Sequence, residues 1–545
     1  MATAILFLPA LRYPFVYDDI PQVLENPELR TWNSLPGFFV KSLWSEVGAK
    51  GGFYRPLFKT WLVVNYQLWG TNVAGWHAAN LICHLLAVAL AYALVLRLTR
   101  ARSIAALAAL IFGIHPSRIE SVVWISGIAD PLMSVFLLGG LLAYLEYVET
   151  RRGSWLASAA LLLVAALLSK ETAIVFAAVV MVHSLAFERK REPERRRAAT
   201  RAVALFFVIT VAYLLVRVMV LGALSGRPTE LPLSTVLLTA PSLLGFYARQ
   251  LAAPFRVSLF YDTPYVRSAR AAEFVVPLVF LGILVTALWL WARKEKSPAI
   301  AFFSALTLLP LLPTLDLRVF QWKELAHDRY LYLPVLGFSV LVALAVRRIG
   351  WHREKPEAFS PPARIAIAVV VLTLMASTSI HVRFWRNPLV LYGWASEVAP
   401  NNATALNLFA RELLAANRKA DALAVYSRVV HLAPNWWEVH YNAGVLAYEL
   451  GRYAEAEVLL GRAIELAPQN AAQFYILGLV RLAANRPRAA EAALRQALER
   501  YPSGKDLHEA LGKALLAQGR QKEAEEEFAA GRTLAAGDGG PQAAE

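Results

Sequence analysis

The chain reads as all-α, a multi-pass transmembrane helical module followed by an α-solenoid of short helical repeats. Three observations predict this. Hydrophobic residues make up 57% of the 545 residues and the mean hydropathy is +0.45, beyond the range of a soluble globular protein. The apolar residues fall in long runs separated by short basic loops, the pattern of a polytopic membrane protein. From about Ala403 the composition turns Ala-rich and charged, and Pro434, Pro468 and Pro502 recur at a fixed interval.

Taken in order, residues 1–11 are apolar but too short to span comfortably and lack the basic start of a signal peptide. They read as a short tilted first span or as the remainder of a longer one. Runs long enough to cross, or nearly so, follow at 75–97, 103–115, 131–149, 154–168, 172–187, 202–221, 274–292, 298–315, 331–347 and 364–382, which makes about ten or eleven spans in a module covering 1–384. Residues 233–253 are apolar enough to cross, yet a crossing there puts Arg293, Lys294 and Lys296 on the wrong side. That segment reads as an interfacial or re-entrant helix. A linking helix is expected over 385–402, repeats over 403–536 and a disordered tail over 537–545.

The net charge of +15 invites a nucleic-acid partner, but the basic residues sit in loops between spans, where they report orientation. Arg97, Arg100, Arg102, Arg151, Arg152, the stretch 188–201, Arg347 and Arg348 are expected to face the cytoplasm. Walking the spans then places Asp18 and Asp19, the loop 115–130, residues 169–171, the loop 316–329 and the repeats on the opposite side. Cys83 is the only cysteine, so no disulfide framework or thiolate metal site is expected.

The prolines recur every 34 residues, the tetratricopeptide period. Aligned on them, Ala410, Gly444, Gly478 and Gly512 fall where two helices approach too closely for a large side chain. Ala422, Ala456, Ala490 and Ala524 take the second small position, and Tyr426, Leu460, Leu494 and Phe528 the bulky one. Such repeats bind a protein or peptide along a concave face and carry no chemistry of their own. Trp436, Trp437, His440 and Tyr441 fit either that face or packing between repeats.

Asp18 and Asp19 stand together just after the first apolar run. Carboxylates at a membrane mouth are costly unless they face water, a cation or a substrate, which makes the doublet a candidate site; a solvated loop pair or a helix cap is the structural alternative. His77, Asn80 and His84 share one helical face, but no carboxylate partner is evident and metal ligation is not expected.

The segments FVYDDI (15–20), YRPL (54–57), WHAAN (76–80) with His84, HPSRIESV (115–122), GIAD (127–130), SKE (169–171) and RYLYLP (329–334) follow one another in an order that, with the repeats, resembles the TMTC proteins. These are membrane O-mannosyltransferases with C-terminal tetratricopeptide repeats, and their bacterial relatives. The resemblance covers nearly the whole chain. It implies a GT-C glycosyltransferase fold, a sugar donor on a polyprenyl phosphate, catalytic acids in the first extracytoplasmic loop that map onto Asp18 and Asp19, and a bacterial inner-membrane location with periplasmic repeats.

The chemistry of such a transfer needs a base for the acceptor hydroxyl and cations for the phosphate that leaves. Asp19 is the first candidate for the base, with Asp18 orienting it, or the reverse. Arg55, His115, Arg118, Lys170, His327 and Arg329 are the cations available on that face, supported by Glu120, Asp130 and Glu171. Each also has a structural reading. His115 fits a helix-end carbonyl partner, Arg118 and Glu120 a surface pair, Lys170 and Glu171 a snorkelling pair, Arg329 an orientation signal. Displacement at the anomeric carbon would invert it. The donor is a lipid and the acceptor a hydroxyl of a protein held by the repeats; no metal is assigned. A non-catalytic membrane-anchored repeat scaffold is the rival, whereas a transporter would show charges at the midplane and a duplicated span pattern.

Overall fold

A computed structural model describes residues 1–45, 52–223, 231–319, 324–349 and 359–537. The expected tail at 537–545 lies, except for Gly537, outside the described residues. Helices account for the fold, with no strand among the described residues. The chain divides into two compact units, Met1–Trp394 and Ala395–Glu545.

Among the described residues of the first unit, eight helices are long and apolar enough to cross a membrane, or nine if one bent pair counts as a span. Their ends follow from local chemistry. Val73–Thr99 begins where the Asn72 side chain accepts from the Ala74 N–H and ends with Arg100 in the left-handed region, and Arg97 in its last turn complements the helix dipole. Burial then sorts the helices into layers. Of the Ile125–Thr150 window 72% is buried, whereas none of the Ala272–Glu295 window is. The latter presents Val276, Phe280, Ile283 and Trp289 outward, an apolar face of the kind that meets lipid or a partner.

Two expected spans depart from the simple reading. The run at 103–115 becomes the first half of a bent pair, Arg102–Ile114 and Pro116–Val123, with 58° between them. Pro116 disfavours helical backbone at His115 and supplies no N–H, and His115 is extended, with φ −63° and ψ 132°. The run at 154–168 forms Gly153–Ser169, a shorter apolar helix. Residues 233–253 form Leu233–Ala252 with Pro241 inside it, burying Thr239, Leu243, Tyr247 and Leu251.

The second unit is four helix pairs: Ala403–Ala415 with Lys419–Leu432, Trp437–Glu449 with Tyr453–Leu466, Ala471–Ala483 with Pro487–Arg500, and Lys505–Leu516 with Gln521–Gly537. The small positions are small for the expected reason. A Cβ on Gly478 would lie 2.6 Å from Leu494 Cγ, and one on Gly512 2.5 Å from Phe528 Cε1. His440 is buried and its Nε2 meets the Pro434 carbonyl at 3.0 Å, while Trp436 and Trp437 are half-buried.

Candidate functional site: a charged cleft at the mouth of the membrane unit

The turn that carries the aspartate doublet sends its two side chains to different places. Tyr17 sits at φ 53°, a region a non-glycine residue rarely enters and one that marks a locally constrained backbone. Its ring packs against Trp124 and Phe260, at 5.9 and 5.6 Å between centroids. Beyond this kink Asp19 turns inward. Its Oδ2 accepts from the Val16 N–H at 3.1 Å, and its Oδ1 accepts from the Ser126 N–H and hydroxyl at 2.8 and 2.6 Å. Asp19 is 1% exposed and pins the doublet turn to the Ser126 turn.

Asp18 instead lines a small cleft with Arg55, Asp130, Lys170, Arg329 and Tyr330, walled by Trp44, Phe53 and Trp124. Three ion pairs surround it. Arg55 holds Glu171 through two bonds, Nε to Oε2 at 2.8 Å and Nη2 to Oε1 at 2.6 Å. The Lys170 ammonium donates to both oxygens of Asp130 at 2.6 Å. Arg329 pairs through Nη1 with Glu120 Oε1, and its backbone N–H donates to the other Glu120 oxygen at 2.9 Å. The Arg329 guanidinium also lies over the rings of Trp124 and Tyr330, at 5.4 and 5.2 Å. Every carboxylate in this set is committed to a cation except that of Asp18, which has no hydrogen bond or ion pair among the described residues.

Burial acts on both aspartates in the same direction. Burial raises Asp18 to about 6, opposed by the positive charges of Arg329 and Arg55. Burial raises Asp19 to about 7 despite its three hydrogen bonds. Burial likewise lowers Lys170, with Asp130 opposing the loss of its charge. Such a cluster of buried ionisable groups at the end of membrane helices is a site hypothesis by its cost alone.

The remaining sequence candidates fall outside the cleft. His115 Nδ1 accepts from the Ser117 N–H at 3.3 Å, which leaves Nε2 to donate to the Leu251 carbonyl at 3.1 Å. Arg118 is fully buried, donates to the carbonyls of Tyr332 and Leu331 at 2.6 Å each, and stacks on the Tyr332 ring. It therefore positions the turn that presents Arg329 and Tyr330, and its donors are not offered to a ligand. His327 stands 3.6 Å from Glu120 and its ring is held well below its ordinary value, first by burial and then by Arg329. The helical-face trio is structural too: His77 meets the Tyr13 carbonyl, Asn80 donates to the Trp124 and Ile125 carbonyls, and His84 contacts the Tyr332 hydroxyl. No group of three or more metal-ligating side chains occurs among the described residues.

Sequence reasoning passed over Ser126, which anchors Asp19, and Gly127, where a Cβ would stand 2.3 Å from the Glu120 carbonyl. Only glycine lets the Ser126 turn close against the helical turn that carries Glu120. The GIAD motif contained that signal.

The fold and cleft define a polytopic membrane protein with a charged pocket at one end of its helices, followed along the chain by a tetratricopeptide solenoid. Comparison with known proteins narrows the class. Residues 55–216 match the family model described as dolichyl-phosphate-mannose-protein mannosyltransferase, and residues 407–471 and 475–541 match tetratricopeptide repeats. A protein O-mannosyl-transferase of Caenorhabditis elegans is 25% identical over 73% of this chain and 56% of its own length. Protein O-mannosyl-transferase TMTC3 of Homo sapiens is 25% identical over 79% of this chain and 50% of its own. The chain thus spans about half the length of these curated relatives. Among solved structures, MamA is matched at 22% identity and a TM-score of 0.27, over 28% of this chain and 88% of that one. In sequence and order of parts the chain resembles the O-mannosyl-transferase relatives: a membrane unit, part of which matches the mannosyltransferase family model, is followed along the chain by tetratricopeptide repeats.

Proposed function

We propose that the chain is an inverting membrane glycosyltransferase that moves a sugar, mannose or another hexose, from a polyprenyl-phosphate donor to a hydroxyl of a protein recruited by the repeats. The observation that carries the reading is the unpaired Asp18 carboxylate amid three cation and carboxylate pairs. The acceptor oxygen attacks the anomeric carbon, the bond from that carbon to the phosphate oxygen breaks, and the phosphate departs with the electron pair. Asp18 takes the acceptor proton. Arg329, Lys170 and Arg55 offset the charge that develops on the phosphate, as cations fixed in advance do without reorganising during the reaction. Asp19 holds the turn and acts through Asp18's position; the order of roles favoured from sequence alone is reversed in this reading.

The cleft itself has a volume of about 70 Å³, room for a few waters and too little for a hexose, since ligand pockets run to about 300 Å³ and above. Donor entry therefore displaces part of the aromatic wall. The relatives are named as protein O-mannosyl-transferases, which indicates mannose and a protein acceptor for those proteins. The basic loops support an orientation with cleft and repeats opposite the cytoplasm of a bacterial inner membrane, so alkaline phosphatase fused after Pro400 is expected to be active and a reporter between Lys190 and Arg195 to read as cytoplasmic.

The decisive experiment is transfer by the purified full chain from polyprenyl-phosphate mannose to a Ser/Thr-containing protein. Asp18→Asn keeps the size of the side chain and removes the base, so transfer should fall about a hundredfold to ten-thousandfold. Full transfer by Asp18→Asn would overturn the assignment and favour a membrane-anchored scaffold. The pH profile supplies a second check. Because Asp18 must be ionised to accept a proton and titrates at about 6, transfer should fall as pH drops through that value, by about tenfold per unit further down. A flat profile between neutral and mildly acidic pH contradicts it.

A further inference from the structure

The membrane helices that carry the cleft hold a second cavity at their other end. Asn80, beside the cleft, and Arg97, in the wall of this cavity, lie about 25 Å apart along one helix at about 1.5 Å per residue. Asp130 and Glu149 are about 28 Å apart along another. The cavity, of about 800 Å³, is walled by Arg97, Arg100, Arg191 and Arg195 together with Glu149 and Glu188.

Its charges are not balanced. Arg97 is held by Glu146 and Glu149, at 3.2 and 2.7 Å. Arg195 is held by the buried Glu188, Nε to Oε2 at 3.0 Å and Nη2 to Oε1 at 3.3 Å. The side chains of Arg100 and Arg191 meet no carboxylate among the described residues. Two guanidiniums are thus left facing a cavity without an anion. The geometry behind them is built rather than incidental. Ser184–Glu188 is a π-helical turn that prolongs Phe176–His183, and such wide turns recur at functional positions. It stacks Phe187 on the His183 ring at 4.8 Å and an interplanar angle of 11°, and turns Glu188 toward Arg195.

The rest of the wall is apolar: Tyr92, Leu96, Leu145 and Phe187 line it, and Leu185 on the same turn is 61% exposed. An inorganic anion gains nothing from such a wall, whereas an amphiphile places its charge on the arginines and its chains along the apolar side. Position agrees, because the cavity opens at the level where apolar helices end and basic loops begin, the depth of lipid headgroups. We propose that this cavity is a binding site for the phosphate headgroup of an anionic phospholipid, gripped by Arg100 and Arg191 and separate from the Asp18 cleft.

The test uses the full chain in nanodiscs of phosphatidylcholine, alone or containing phosphatidylglycerol, with retained lipid counted by native mass spectrometry after release into detergent. The wild type should retain phosphatidylglycerol, and Arg100→Gln with Arg191→Gln should retain it about tenfold more weakly, the equivalent of about 1.4 kcal/mol. Lys190→Gln with Arg196→Gln removes two charges from the same region outside the cavity wall and should retain it as the wild type does. Equal retention by the Arg100 and Arg191 variant overturns the proposal, as does equal loss in the Lys190 and Arg196 variant, which marks a diffuse surface attraction. Inorganic phosphate added to the phosphatidylcholine sample distinguishes the source. If phosphate alone raises thermal stability as much as phosphatidylglycerol does, the site belongs to a soluble anion and the lipid assignment fails.

Discussion

The two units of this chain use the same ion pairs in opposite ways. In the repeats several pairs lie within a single helical turn and stay solvated. Arg418 and Asp421 meet at 2.8 Å with 55% of each side chain exposed, and Arg452 and Glu455 meet three residues apart in the same place one period later. Around the cleft of the membrane unit the pairs join residues far apart in sequence, Arg55 with Glu171, Lys170 with Asp130, Arg329 with Glu120, and they are largely buried. Exposed pairs contribute little because water solvates both partners nearly as well. Buried pairs rarely stabilise a fold more than apolar residues would. Where a protein keeps three of them around a single unpaired acid, stability is a weak explanation and a charged ligand is a better one.

That contrast can be broken most forcefully at Lys170 and Asp130, whose side chains are 2% and 4% exposed. Asp130→Ala strands a buried ammonium, and loss of one partner of such a pair costs about 3 to 5 kcal/mol. A large fall in the thermal midpoint of the membrane unit is the expected result. The sharper measurement is the double replacement Asp130→Leu with Lys170→Met. If the pair serves the donor phosphate, the double variant should regain most of the midpoint while transfer stays low. Recovery of both would make the pair a packing device, and recovery of neither would make it indispensable to the fold.

In the repeats the large effect should come from packing, with charge secondary. Gly478→Val places a branched side chain where even a Cβ would stand 2.6 Å from Leu494 Cγ, and overpacking of this kind costs about 1 to 3 kcal/mol. Urea denaturation of the full chain followed by tryptophan fluorescence and repeat-directed proteolysis should show the repeat unit opening earlier. Unchanged protease resistance would mean that the helix pair relaxes around the added atoms, and that the small residue is not what sets its spacing.

What could be read from the sequence divides along the same line. The solenoid was legible because its contacts are local: a period of 34 states which residues touch, and Gly444, Gly478 and Gly512 stand against the bulky residues expected. The spans were legible from hydropathy, except where Pro116 bends one and where Gly153–Ser169 falls short. The cleft was legible only as a set of charges on one face. Nothing adjacent to the doublet says which aspartate is free, since that depends on Tyr17 at φ 53° and on Ser126, 107 residues further on. His115 and Arg118 looked equally available because their partners, the carbonyls of Leu251, Leu331 and Tyr332, carry no signature in side-chain identity.

The smallest expected effect tests the other half of the contrast. Arg418, Arg452, Arg486 and Arg520 recur with the repeat period, each just before a helix, and in three repeats the residue three positions on is acidic: Asp421, Glu455 and Glu523. The third repeat has Ala489 there, and Arg486 turns instead to Glu457 of the preceding pair. The arginine thus finds a carboxylate whichever one is offered, as expected of a solvated charge with no fixed task. Arg418→Ala should therefore shift the stability of the repeat unit by less than about 1 kcal/mol, close to the error of a denaturant titration, and by less still at high salt. A loss several times larger would show that these exposed pairs act as a coupled network along the solenoid, and the contrast between solvated pairs in the repeats and buried pairs around the cleft would have to be redrawn.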